Sequence, residues 1–288
     1  MGLCYATYFL KGRKIIMQKH SFNGIKLVAA VFAAGTLLSA GGCVTANADS
    51  TKNLGLLHKD QLTVGLEGTY APYSYRTDSG DLTGIDVDMA KEIGKKMGIK
   101  VVFVPTKWDS LVAGLQDHKY DIILNDMAVS PARMKVFRYG AKYIYTGGVV
   151  VTKKDSGIKQ VTDIKGKKTA QSAIGNYVKY AEKLGSTNVA VPGFAEAVAT
   201  VENGHADATL NDAAAWGVYK KAHPDTDLIA IPSPSKYMPV TGAAPMMNKK
   251  SVALDKAVTK AEHELRKDGV MKKISEKYLD ADYSNPAK

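Results

Sequence analysis

From residue 61 onward, short apolar segments typical of strands alternate with amphipathic segments typical of helices. The first such series predicts strands at residues 61–66, 99–105 and 121–124, and helices at residues 86–97 and 108–116. Parallel neighbouring strands need a long crossover connection, and a helix usually supplies it. This order therefore predicts an α/β fold in which a parallel sheet is covered by helices.

A second series of the same kind follows residue 146. Strands are predicted at 147–154, 167–171, 188–193, 207–212 and 227–231, and helices near 176–184, at 195–202 and through Tyr219. A linker at 232–239 leads to one more strand (241–248) and two helices (252–267 and 270–278). One strand and two helices are too few for a third domain, so this tail is expected to pack on the first series.

The two series predict two α/β lobes joined by two hinge crossings. Lobe 1 is expected to be discontinuous, from residues 61–146 and 240–284, and lobe 2 to span residues 147–239. Each lobe should be a mainly parallel sheet flanked by helices. Ligands of such folds bind beyond the carboxyl ends of the strands, which places the expected site in the cleft between the lobes.

The N-terminal region has the features of an export signal. Residues 27–40 form an apolar run of 14 residues behind a basic segment, too short to span a bilayer, so residues 1–42 are predicted to be a signal peptide. Met17 is a candidate true start, because the segment after it already supplies a basic region. Residues 43–60 are expected to form a polar tether.

Two cleavage sites compete in this region. The sequence AGGC at residues 40–43 resembles a lipobox and predicts lipidation of Cys43, although the motif usually has leucine where Ala40 stands. The alternative is ordinary signal-peptidase cleavage after Ala48, since ANA at residues 46–48 fits the small-x-small rule. We favour lipidation, which predicts a protein held at the outer face of the cytoplasmic membrane or the cell surface.

The charge and cysteine content exclude several classes of function. The formal net charge is +11, but residues 1–42 carry +5 of it without an acid, and the remaining +6 is spread along the chain. No cluster of basic and stacking aromatic residues indicates a nucleic-acid groove. With only Cys4 and Cys43, and six scattered histidines, we expect neither a disulfide scaffold nor a metal site. No nucleophile elbow is present, and we expect no cofactor and no enzymatic activity.

Several motifs along the chain occur in the same order as in one protein family. Residues 61–284 resemble, in order, the polar amino-acid branch of the bacterial extracellular solute-binding proteins, the receptors of ABC importers. The resemblance is carried by EGTYAPYSY (67–75), GIDVDMAKEIGKKM (84–97), VSPARMK (129–135), DATLND (207–212) and LRKDGVMKKISEKYLDADYS (265–284), among others. It implies a two-lobed periplasmic-binding-protein fold of type II, closure on a ligand, and a permease with its ATPase as partners. A monomer is expected.

The resemblance also implies the residues that hold the two charges of an amino acid. Arg133 matches the arginine that clamps the α-carboxylate, for which a guanidinium is suited because it donates two parallel hydrogen bonds. Asp212 matches the acid that accepts the α-ammonium group, and it is also positioned to cap the next helix. The segment QSAIGNY (171–177) matches the helix N-terminus that donates to the carboxylate. Its candidate residues are Ser172, Gly175 and Asn176.

Aromatic residues are implied around the ligand's side chain. Tyr70 and Trp108 match the aromatic positions of the family, and Tyr73 and Tyr177 are further candidates. Asn125 is another candidate for ligand contact, in the loop after the strand at 121–124.

The sequence departs from the family pattern at this loop. It reads NDMA at residues 125–128, where small residues are usual, so Asp126 adds a charge and Ala128 removes a hydroxyl group. With Glu67, the site has one acid more than a single ammonium group requires. NDM followed by VSPAR, QSAIGNY and the ADATLNDA stretch resembles the cystine-binding subgroup most. Cystine has two ammonium groups, which would use the additional acid, and its sulfur atoms suit aromatic rings.

Other functions remain open at this point. A cationic amino acid would also use the additional acid, so an arginine or lysine receptor is the alternative, with a glutamine receptor behind it. Some exported dehydratases resemble these receptors and could use acidic cleft residues for proton transfer. A basic exported protein could additionally act as an adhesin that binds polyanions.

Overall fold

The computed structural model describes residues 53–286; the predicted signal peptide, Cys43 and both cleavage sites lie outside them. The strands, in chain order, are β1 (Gln61–Leu66), β2 (Tyr75–Arg76), β3 (Leu82–Thr83), β4 (Lys100–Pro105), β5 (Ile122–Ile123), β6 (Phe137–Tyr139), β7 (Gly148–Lys153), β8 (Lys168–Gln171), β9 (Thr187–Ala190), β10 (Ala208–Asp212), β11 (Leu228–Pro232) and β12 (Met246–Asn248). The helices are α1 (Ile85–Met97), α2 (Trp108–Gln116), α3 (Pro131–Val136), α4 (Asn176–Lys183), α5 (Phe194–Glu202), α6 (Ala213–Ala222), α7 (Val252–Lys267) and α8 (Val270–Leu279).

The first sheet has the strand order β4-β1-β5-β12-β6. β1 is parallel to both of its neighbours, β4 and β5, which confirms the unit predicted from the β-α-β-α-β pattern. β12 runs antiparallel to β5 and β6.

The second sheet has the strand order β11-β7-β10-β8-β9. β8 is parallel to β9 and β10, whereas β7 is antiparallel to β10 and β11. β7 and β12 correspond to each other, because each is the first strand after the chain crosses from one sheet to the other. The fold is therefore the α/β, two-lobed arrangement expected from the sequence, with the crossings at residues 140–147 and 233–245.

Glycines define both ends of α1, which the sequence predicts almost to the residue. Gly84 precedes the helix with φ of 126°, and a Cβ there would lie 2.2 Å from the Tyr73 carbonyl oxygen. Gly98 ends the helix in the left-handed conformation with φ of 69°. Other side chains rarely adopt these backbone angles, so the glycines fix where the helix begins and ends.

The tail of the chain packs on the first sheet. Leu254 and Val258 of α7 are buried with Met89 and Ile93 of α1 in one apolar cluster. Full burial of each such side chain contributes about 1.5–3 kcal/mol. All strands of the first sheet lie in residues 61–146 and 240–284, and all strands of the second in 147–239. We propose these ranges as lobe 1 and lobe 2.

Two predicted strands are longer than the observed ones, and one observed strand was not predicted. The strand expected at 241–248 forms only at Met246–Asn248, because Gly242 has φ of 71° and Pro245 offers no N–H for pairing. The expected strand at 121–124 is reduced to Ile122–Ile123. β6 was not predicted, and its three residues pair with β12 immediately after α3.

The segment before β1 is not wholly a tether. Leu54 is buried, and the Leu57 N–H donates to Asp121 Oδ1 at 2.8 Å, so residues 54–57 contact lobe 1. The same carboxylate accepts the Thr63 N–H in β1 at 2.8 Å. No helix within residues 53–286 is both long enough and apolar enough to cross a bilayer.

Candidate ligand-binding cleft

A cavity between the two lobes gathers most of the residues predicted to contact a ligand. Asn211, Thr146 and Phe194 also line it and were not predicted. Of the predicted residues, the cavity is lined by Glu67, Tyr70, Trp108, Asn125, Asp126, Ala128, Arg133, Ser172, Gly175, Asn176, Tyr177 and Asp212.

Tyr73 is the exception among the predicted residues. Its side chain is fully buried beneath the ring of Tyr70, with 5.2 Å between the ring centroids. Its hydroxyl group donates to Asp212 Oδ1 at 2.7 Å. Tyr73 therefore supports Asp212 instead of lining the cavity, which corrects its predicted contact with the ligand.

Arg133 is the basic residue that lines the cavity within residues 53–286. It lies in the first turn of α3, where Pro131 starts the helix and the Ser130 hydroxyl accepts the Arg133 N–H at 3.4 Å. The guanidinium donates to the Ala128 carbonyl at 3.4 Å, and in residues 53–286 it has no salt bridge to a carboxylate. Its charge lowers the pKa values of Tyr139 in lobe 1 and Tyr180 in lobe 2, although burial raises both more strongly.

Asp212 ends β10 and caps α6, so the predicted capping role is confirmed. Its carboxylate accepts the N–H groups of Ala214 and Ala215, at 2.8 and 3.2 Å. It also accepts the hydroxyl groups of Tyr73 and Thr146. Burial raises the pKa of Asp212, and these four donors act in the opposite direction because they stabilise the ionised form.

Glu67, which also lines the cavity, is held by Asn125. Asn125 accepts the Glu67 N–H through Oδ1 and donates through Nδ2 to Glu67 Oε2, both at 2.8 Å. Burial raises the pKa of Glu67, while the Asn125 amide lowers it.

Asp126 lies next to Asn125 in a left-handed backbone conformation, with φ of 45°. Its N–H donates at 2.9 Å to Oδ2 of the fully buried Asp86. The pKa of Asp126 lies well above its usual range, because of burial first and then the charges of Asp212 and Asp86. Burial also raises the pKa of Asp86, to about 7, against the hydroxyl of Tyr143 and the Asp126 N–H.

Aromatic side chains from both lobes line the cavity together with these acids. Tyr70 makes an edge contact with Phe194 at the start of α5, with centroids 6.1 Å apart. Its hydroxyl donates to Asn211 Oδ1 at 2.7 Å. Phe194 and Asn211 are neighbours of predicted features, a helix start and Asp212, and only their position in the fold reveals their place in the cavity wall.

The lobes also contact each other directly at the rim. The indole N–H of Trp108 donates to the Ile174 carbonyl at 3.1 Å, and the Ser172 hydroxyl donates to Asp109 Oδ1 at 2.6 Å. A Cβ on Gly175 would lie 3.4 Å from the Trp108 ring. The side-chain donors of Trp108 and Ser172 are thus engaged in closure contacts, and only the backbone N–H of Ser172 remains as its predicted donor to a ligand.

No group of three or more histidine, cysteine, aspartate or glutamate side chains within residues 53–286 is arranged to hold a metal ion. The cavity is instead lined by the guanidinium of Arg133 and by the acidic side chains of Glu67, Asp126 and Asp212. These groups are complementary in charge to the carboxylate and ammonium groups of a free amino acid.

Known proteins are similar to this chain in sequence and in fold. The chain is 36% identical over 265 residues to a probable amino-acid ABC transporter-binding protein of Haemophilus influenzae, covering 90% of this chain and 96% of the relative. It is 33% identical over 274 residues to the L-cystine-binding protein TcyA of Bacillus subtilis, covering 90% and 99%.

Solved structures distinguish the state of the lobes. An ancestral arginine-binding protein bound to arginine is 30% identical, with a TM-score of 0.70 over 76% of this chain and 98% of that one. The L-cystine receptor of Neisseria gonorrhoeae, unliganded and open, is 37% identical over 78% and 95%, with a TM-score of only 0.54. The better fit to the less similar, bound protein agrees with the closure contacts described above.

The sequence model of one family covers residues 62–281, nearly all of both lobes. This chain is a member of the bacterial extracellular solute-binding proteins, family 3.

Proposed function

We propose that this protein is the extracytoplasmic substrate-binding component of an amino-acid ABC importer and that its ligand is L-cystine. The observation that carries this proposal is that one guanidinium, that of Arg133, and three acidic side chains, those of Glu67, Asp126 and Asp212, line the same cleft. Relatives named for cystine binding, TcyA and the gonococcal receptor, support the choice of ligand.

The expected pose follows from the charges. Arg133 clamps one α-carboxylate bidentately, assisted by backbone N–H groups at the start of α4, near Gly175 and Asn176. Asp212 accepts the α-ammonium group, and either Glu67 or Asp126 accepts the distal one. The rings of Tyr70 and Phe194 flank the same end of the cavity and suit the disulfide sulfur atoms.

A basic amino acid is the second candidate ligand. Three carboxylates against one guanidinium leave an excess of negative charge, which arginine or lysine would also compensate. The likeness to an ancestral arginine-binding protein favours this alternative. Glutamine has one ammonium group, so it would leave two of the three acids without a cation.

We also propose a cellular setting for the protein from its N-terminal sequence and its family. A permease and ATPase complex would receive the ligand, and lipidation of Cys43 would hold the monomer at the outer face of the membrane. An exported dehydratase on this fold is the competing class, since an ancestral amino-acid-binding protein described as a precursor of cyclohexadienyl dehydratase is 28% identical. Turnover of a prephenate-like acid would support that class over binding. An added adhesin role would show as salt-releasable attachment that persists in a Cys43→Ser variant.

Calorimetry against a panel of amino acids tests the ligand. L-cystine is expected to bind with the highest affinity and without turnover, and Arg133→Ala is expected to remove binding of every amino acid. Arg133→Lys is the matched control, because it retains the charge and loses the bidentate geometry, so it should restore only part of the affinity. Binding of arginine or glutamine with no response to cystine would reject the ligand and leave the receptor function intact.

A further inference from the structure

The acids of the cleft differ in how many protein partners they have. The Asp212 carboxylate accepts four hydrogen bonds, and Glu67 is paired with the Asn125 amide. The Asp126 carboxylate, by contrast, accepts no hydrogen bond from any residue that the structure describes. It is the cleft acid whose charge the protein leaves uncompensated.

No basic side chain compensates this charge. Arg133 is the sole lysine or arginine among the cavity-lining residues of the described chain, and its charge is felt at Tyr139 and Tyr180. The groups that act on Asp126 are the acids Asp212 and Asp86, and both raise its pKa. An ionised carboxylate in this position is costly unless a cation reaches it.

The backbone keeps Asp126 at the cavity wall. Its N–H donates to Asp86 Oδ2 at 2.9 Å, and its φ of 45° belongs to a region that aspartate and asparagine tolerate better than most residues. The residue is therefore built into the fold at this place, and an asparagine would keep the same backbone.

Closure brings Asp126 of lobe 1 and Asp212 of lobe 2 to one cavity. We infer that Asp126 is the specificity-determining residue of this cleft, admitting amino acids that carry a second positive group and rejecting those with one ammonium group. A ligand with a single ammonium group compensates Asp212 and leaves Asp126 without a cation, so the Asp126 carboxyl group must be desolvated or take up a proton when the cleft closes. A second ammonium or guanidinium group compensates both and permits closure, which assigns the distal cation to Asp126 over Glu67. This inference rests on the proposed function.

Calorimetry of the mature protein with L-cystine, L-arginine and L-glutamine at neutral pH tests the inference. The wild type is expected to prefer cystine or arginine to glutamine. In Asp126→Asn the preference should fall by roughly tenfold to hundredfold, the worth of one charge-assisted contact, without weaker binding of glutamine. Asp126→Gly, which also suits a positive φ, provides a second variant should the first fold poorly.

Two further variants separate the acids. Glu67→Gln should keep the preference for a second cation, and Glu196→Gln, which removes an exposed acid beside Glu67, is the matched control and should change nothing. An unchanged preference in Asp126→Asn, or its loss in Glu67→Gln instead, would overturn the inference while leaving the receptor function in place. A wild type that binds glutamine most tightly would overturn it as well, whereas a wild type that binds no amino acid would reject the proposed function itself.

Discussion

Two Asn-Asp pairs face the cleft from opposite lobes, and the fold treats them differently. Asn125-Asp126 follows β5 in lobe 1, and Asn211-Asp212 ends β10 in lobe 2. The side chain of Asn211 accepts the N–H of its own neighbour, Asp212, at 2.7 Å. The side chain of Asn125 instead binds Glu67 with both its amide oxygen and its amide nitrogen. The Asp212 carboxylate accepts hydrogen bonds from two hydroxyl groups and from the start of a helix. Asp126 instead contacts another acid, Asp86, through its backbone N–H.

This difference shows how one cleft can combine an acid that binds every amino acid with an acid that selects among amino acids. Donors around Asp212 favour its ionised form, so it can serve the ammonium group that all amino acids share. Asp126 lacks such donors, so only a ligand that brings its own second cation stabilises its charge. Substitutions at each of the two pairs test this difference.

The largest effect is expected at Asp212. Asp212→Asn removes the charge that meets the α-ammonium group, so affinity should fall roughly hundredfold for every amino acid. Thermal stability should change little, because asparagine caps a helix about as well as aspartate. Calorimetry and thermal unfolding measure the two effects.

The control is Asp212→Ala, which loses the cap too and should cost about 1 kcal/mol of stability in addition. If Asp212→Asn instead weakened only ligands with two cations, the two pairs would have the same role.

An effect of intermediate size, on stability, is expected at Asp86, which contacts the Asn125-Asp126 pair. Burial raises its pKa to about 7, so the folded state binds a proton that the unfolded state releases near pH 4. Its contribution to stability therefore falls as pH rises from about 4 to about 7 and stays low above that. Asp86→Asn should be more stable than the wild type at pH 8 by about 2–4 kcal/mol, and this gain should disappear toward pH 4.

Urea unfolding across this pH range measures the gain. Parallel stability curves for variant and wild type would mean that Asp86 is ionised without cost in the fold. Asp88→Asn, at a partly buried salt bridge on the same helix, is the control for replacing an aspartate of α1 by asparagine.

The smallest effect is expected at the rim, where neither pair takes part. Ser172→Ala removes the hydrogen bond to Asp109 and should weaken every ligand about two- to fivefold, because it destabilises only the closed state. Fluorescence of Trp108, whose indole N–H also crosses the cleft, reports closure in a Trp216→Phe background. Selective loss of one ligand would instead mean that the Ser172 hydroxyl touches that ligand.

Much of the fold could be predicted because periodicity and caps are local. The helices at 86–97 and 108–116 lie between clear signals, and the structure reproduces them nearly to the residue. The failure at 241–248 also has a local cause, the left-handed Gly242, but the sequence does not reveal which glycine will adopt that conformation. β6 forms only because β12 returns beside it from more than a hundred residues away.

The cleft was predictable for residues in motifs and not for those that reach it through packing. Arg133 and Asp212 stand in recognisable segments, and the cavity includes both. Tyr73 was misplaced because a stacked pair has one exposed and one covered ring, and sequence does not tell which is which. Phe194 and Asn211 were missed because their role depends on the opposite lobe.

The contact between Leu57 and Asp121 has a mechanical consequence. Any tension along the chain that precedes β1 enters the sheet of lobe 1 through this hydrogen bond and the buried Leu54. The main chain reaches lobe 2 only through the two crossings, so a force on this segment acts first on lobe 1 and is passed to lobe 2 through the crossings and the hydrogen bonds at the rim.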